Sequence, residues 1–92
     1  MNENRPDYSD IGNRIIAFRE HLGLSASAFA KEVGVSPSRL GNWENGHRRV
    51  SVDVAVVLSE KYGLSLDFIY MGRLAALPHN LAVALSPKPS VK

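Results

Sequence analysis

Between Ala26 and Asn45 the chain reads ASAFAKEVGVSPSRLGNWEN, and Phe29, Ala30, Val33, Val35, Leu40 and Trp43 fall where two short helices joined by a tight turn would bury them together. Gly34 stands at the corner, where the interhelical turn needs a positive φ. Pro37 follows Ser36 at the first position of the second helix, where its missing amide costs nothing. Such a pair holds one helix at a fixed angle to the other and presents its outer face rigidly.

The same grammar extends along the chain. Ser9 or Asp10, Ser25, Ser36, Ser51 and Ser65 each precede an apolar-periodic run, so they read as helix N-caps and not as nucleophiles. Ile11, Ile15, Phe18 and Leu22 form one apolar face of a helix near residues 10 to 22, which Gly23 ends. The second helix covers about 26 to 33, and the third runs from Pro37 to near Asn45-Gly46. VDVAVVL would suit a strand on local propensity alone. Its context selects a helix from Val52 to Tyr62, because Ser51 caps it, Ala55, Leu58 and Tyr62 share a face, and Gly63 stops it. A fifth helix, Leu66 to Met71, lies between Ser65 and Gly72, and Leu77-Pro78 begins a sixth turn reaching Leu85. The Pro-broken tail SPKPSVK is expected to be mobile. Without a strand pair, repeat or long linker, the expectation is an all-α chain with a flexible N-terminus at 1–9, one domain at 10–72 and a C-terminal extension at 73–92.

Composition narrows the chemistry. At 92 residues with 45% apolar and 22% charged content, one compact core is expected. No apolar run reaches the length of a membrane span, and MNENRPDYSD does not resemble a secretory signal, so a cytoplasmic location is expected. Cysteine is absent, and His21, His47 and His79 are scattered, with no carboxylate pair, Ser-His-Asp set or phosphate-binding glycine loop beside them. No enzyme activity, metal site or cofactor is therefore expected. The net charge of +2 is modest, yet its distribution is uneven. Glu3, Asp7 and Asp10 lie at the front, whereas Arg39, His47, Arg48 and Arg49 cluster in or just after the third helix.

SPSRLGNWENG after LSASAFAKEVGV resembles the helix-turn-helix family of phage repressors, Cro proteins and their bacterial xenobiotic-response-element-type relatives, with similarity running from about Ile11 through YGLSLDFIYMG. The resemblance implies a five-helix, lambda-repressor-like DNA-binding domain, here with a short C-terminal helix or extension, acting as a homodimer on double-stranded DNA. It also implies that Arg19 and Glu44 form a salt bridge locking the reading helix to its scaffold. Asn45 and Gly46 match the turn where the family meets DNA phosphate, a role compatible with a plain helix C-cap.

With Leu40 and Trp43 inward, Pro37, Ser38, Arg39, Gly41 and Asn42 face outward. The family's base-contacting positions correspond to Pro37, Ser38 and Asn42, and Arg39 joins them on chemical grounds. Its guanidinium can bond guanine O6 and N7, as Asn42 can bond adenine N6 and N7, each discriminating by about 1–3 kcal/mol. Phosphate contacts are expected from Ser36, Asn45, Arg48 and Arg49, with His47 a neutral surface residue. Two departures stand out: Ala26 replaces the glutamine common at the start of the second helix, and Gly41 offers the groove no side chain. The fourth helix is apolar almost all round, and either the Leu74–Leu85 segment or a twofold contact would cover it. The expected function is a homodimeric transcriptional repressor; the alternative is a protein-interaction module or antitoxin on the same fold, with a protein partner and DNA binding secondary.

Overall fold

Four helices begin at a serine whose hydroxyl oxygen accepts a backbone amide: Ser25 from Ala28, Ser36 from Arg39, Ser51 from Val54 and Ser65 from Phe68. Each cap satisfies one otherwise orphaned donor and contributes about 1 kcal/mol. The computed structural model describes residues 7–86, so residues 1–6 of the flexible start expected at 1–9, and the end of the tail at 87–92, lie outside the described residues. Within them the chain forms α1 (Ser9–His21), α2 (Ala26–Val33), α3 (Pro37–Glu44), α4 (Val52–Tyr62), α5 (Leu66–Met71) and α6 (His79–Leu85), with no strand. The VDVAVVL segment is helical, its capped ends and buried Val54, Ala55 and Leu58 outweighing the β-branched preference.

The start of α1 differs from the cap expected at Ser9 or Asp10. Ser9 is already helical, Tyr8 is the N-cap without a side-chain bond, and the Asp7 carboxylate accepts from both the Ser9 amide, at 2.9 Å, and its hydroxyl. A carboxylate two residues upstream thus replaces the hydroxyl as acceptor. These bonds hold the Asp7 carboxyl below its ordinary pKa.

Phe18, fully buried on α1, meets Phe29 of α2 and Tyr62 of α4 edge-on, at ring centroid separations of 6.2 and 5.2 Å. Around this centre α1 crosses α3 and α5, while α2 packs on α3 and α4. The C-terminal segment folds back onto its own domain: Leu77 and Leu81 are buried, and α6 rests on α1. It leaves the outer face of α4 uncovered, with Val52, Val56 and Val57 exposed by 59, 38 and 39%.

One glycine sets the approach of α1 to α3. A Cβ on Gly12 would lie 2.4 Å from the Trp43 carbonyl oxygen and 2.7 Å from that of Glu44, so the two backbones meet with no room for a side chain. Close by, Gly46 takes φ 78° and would place a Cβ 2.8 Å from the Ser9 nitrogen. The Tyr8 amide donates to the Gly46 carbonyl at 3.2 Å. The beginning of α1 and the end of α3 are consequently one contact.

Candidate nucleic-acid interface

The third helix has two faces of different chemistry. Leu40 and Trp43 are buried, whereas Pro37, Ser38, Arg39, Asn42 and Asn45 are exposed. At about 100° per residue, Ser38, Asn42 and Asn45 form a polar ridge opposite the buried pair, and Pro37 and Arg39 flank it. Gly41 lies beside this ridge, and a Cβ there would meet nothing within 4 Å. Packing does not require that glycine.

Both ends of the helix are fixed. At its start the Ser36 oxygen is bonded by the Arg39 amide at 3.1 Å, and Gly34, at φ 79°, turns the chain out of α2. At its end Glu44 forms a two-point ion pair with Arg19 of α1: Nε to Oε2 at 2.8 Å and Nη2 to Oε1 at 3.1 Å. The side chains are only 16 and 11% exposed, so water screens the pair little. Arg19 Nη1 also donates to the Leu24 carbonyl at 3.1 Å, tying in the α1–α2 loop. The hydrogen bond to Glu44 raises the Arg19 pKa further above its ordinary value.

The chain then curls back on α3, with the His47 and Arg48 amides donating to the Asn42 carbonyl at 2.9 and 3.2 Å. Asn42 therefore spends its backbone oxygen on the loop and keeps its side-chain amide exposed. Arg48 is exposed, its Nη1 donating to the His47 carbonyl at 3.3 Å. Arg49 points elsewhere. Its guanidinium carbon lies 5.0 Å over the Tyr8 ring, and the residue lines an open groove of about 330 Å³ with Ile11, Val52, Tyr70 and Met71. Tyr70 donates its hydroxyl to the Val50 carbonyl at 2.8 Å, pinning the end of the basic loop to α5. Burial pushes the Tyr70 pKa up, with nearby Arg49 opposing.

Ser36, Ser38, Asn42 and Asn45 are thus carried on one helix and its cap, with Arg48 in the following loop, while Arg49 belongs to the groove. Ala26 is exposed at the start of α2. Sequence reasoning passed over Tyr8, Tyr70 and Gly12, whose roles arise from contacts distant in the chain. It also passed over Arg14, whose Nη1 donates to the Ile69 carbonyl at 3.1 Å near the end of α5. The lone aromatic in the polar N-terminal segment was the available signal for Tyr8. Among the described residues, no group of three or more His, Cys, Asp or Glu side chains is arranged to hold a metal ion, and no helix is long and apolar enough to cross a membrane.

Comparison with known proteins bears on the same segment. The helix-turn-helix family profile matches residues 15–69. The chain is 38% identical over 56 residues to the uncharacterized HTH-type transcriptional regulator YazB of Bacillus subtilis, covering 61% of this chain and 81% of that protein. It is 34% identical over 55 residues to a propionyl-CoA carboxylase regulator of Cereibacter sphaeroides, a match to 60% of this chain and only 12% of that much longer relative. No solved structure matches.

Proposed function

The chain belongs to the helix-turn-helix family of the Cro/C1, xenobiotic-response-element type, and on that premise we propose that it is a sequence-specific, homodimeric transcriptional repressor reading the DNA major groove with α3. The observation that carries this reading is the exposed ridge of Ser38, Asn42 and Asn45 on a helix clamped at its far end by Glu44 and Arg19. A rigid helix with a polar outer face positions side chains for base edges at little entropic cost.

Each residue takes the role its chemistry suits. Asn42 pairs with adenine, Arg39 swings from Trp43 to guanine, Ser38 accepts either, and Pro37 touches a thymine methyl. Ser36, Asn45 and Arg48 bind phosphate and set register. Arg49 joins that set by leaving the Tyr8 ring, as Arg39 leaves Trp43. The protein acts by binding and not by catalysis, and its place of work is the cytoplasm.

Selection from a random duplex library at physiological salt tests the proposal. Enrichment of a palindrome with half-sites about 10 base pairs apart is the expected result; a folded protein that enriches nothing would overturn it. The exposed valines of α4 favour one second reading, a protein-interaction module or antitoxin. Salt separates the two, since affinity for duplex falls steeply with salt through counterion release and an apolar protein contact responds little.

A further inference from the structure

We infer that Gly41 opens a notch on the outer side of α3 that seats the C5-methyl group of a thymine, with the Pro37 ring as its apolar wall. The inference rests on the proposed major-groove reading by α3 and adds a specificity-determining residue to it.

Three observations carry it. First, Gly41 is the one glycine for which neither backbone nor packing accounts. Of the seven glycines, five take positive φ, and Gly12 meets the Trp43 and Glu44 carbonyls where α1 crosses α3. Gly41 lies inside a helix without positive φ, where glycine is less stable than alanine, and a Cβ there would meet nothing within 4 Å. A residue that weakens its own helix without serving the fold belongs where a ligand comes close to the backbone.

Second, the position faces outward. Successive residues turn by about 100°, so Gly41 falls between Pro37 and Asn45 around the helix axis, on the side away from buried Leu40 and Trp43. A side chain at this position would extend back over the turn that holds Pro37 and Ser38. Without one, a gap remains that exposed Pro37, Ser38 and Asn45 border.

Third, the floor and one wall of the gap are apolar. The Gly41 carbonyl already accepts the Asn45 amide at 2.9 Å, and Pro37 has no amide to donate. A phosphate oxygen or a polar base edge would gain no new partner from that floor and wall, whereas the thymine methyl is the one apolar group that the major-groove edges present.

The duplex enriched from the random library is the probe, with thymine replaced by uracil one position at a time in both half-sites. Uracil keeps the hydrogen bonds of the base pair and removes only the methyl. At one position the replacement should weaken binding by wild type about tenfold, the worth of two buried methyl groups. Gly41→Ala, with its fold checked by melting, fills the notch with a methyl of its own. It should weaken the thymine duplex about tenfold or more, yet bind the duplex with uracil at that position within about threefold of wild type on the same duplex. Equal losses on both duplexes, no loss on either, or a selected duplex in which no uracil replacement matters would each overturn the notch and leave major-groove reading standing. A folded wild type that enriches no duplex overturns both.

Discussion

The Arg39 guanidinium carbon lies 5.2 Å from the centre of the Trp43 ring, one turn further along the same helix. This cation–π contact contributes about 0.5–1 kcal/mol at an exposed site. It holds a long, otherwise free side chain on the flank of α3, next to the polar ridge. In the proposed reading, reaching a base edge would exchange the aromatic contact for two hydrogen bonds to guanine, an exchange favourable only when guanine is present.

Trp43 is the sole tryptophan, so its emission reports on this contact. Arg39→Ala should change the emission of the free protein, lower its stability by under about 1 kcal/mol, and relax sequence preference at one base pair by about 1–3 kcal/mol. Arg48→Ala should instead weaken every duplex alike and shallow the salt slope by about one unit. Binding to selected and scrambled duplexes across a salt series checks the division; equal losses on both for both variants would defeat it.

The ion pair between Arg19 and Glu44 is shielded and two-pointed, so removing one partner strands the other. Glu44→Ala should cost about 2 kcal/mol of unfolding free energy in urea. Arg19→Lys should recover little, because an ammonium cannot span both carboxylate oxygens and the Leu24 carbonyl in the same geometry.

Two glycine-to-alanine changes should have opposite signs. Gly12→Ala forces a methyl against two backbone carbonyls and should destabilise by about 3 kcal/mol or prevent folding. Gly41→Ala enters open space and should stabilise by about 1 kcal/mol, since alanine favours the helix. Thermal melts give both signs. If Gly41→Ala stabilises the fold yet weakens selected duplex, the backbone at Gly41 approaches the DNA closely.

Alkaline pH should act through Tyr70. Burial raises its pKa above the ordinary 10.0, so the neutral phenol is favoured in the folded chain. That contribution is fully present below pH 10 and is lost as pH rises through the raised folded value. Absorbance near 295 nm should show a late-titrating tyrosine that Tyr70→Phe removes. The same variant should cost about 1 kcal/mol at neutral pH through the lost bond to Val50.

Local chemistry made most of the fold legible. The serine caps, the glycine stops and the single apolar faces are properties of neighbours in sequence, and they located α2 through α5 closely. What stayed hidden depends on distant partners. Gly12 resembles any helical glycine until α3 lies against it, and Arg49 resembles Arg48 until Tyr8 offers its ring. At α1, the polar residues Asp7, Ser9 and Asp10 near the start left the choice of side-chain acceptor to reach, which favoured Asp7 over Ser9. The coverage of α4 was equally invisible, because the leucine period in the C-terminal segment suits α1 as well as α4.

The backbone contact between Gly12 and the end of α3, with Gly46 against Ser9, assigns a mechanical part to each molecule. Helix α3 is thereby coupled to α1, so in the proposed reading the domain would meet a duplex as a mould of fixed curvature. A mismatch of shape would then be taken up by the DNA, and a site whose base steps bend easily would be favoured even at positions no side chain reaches.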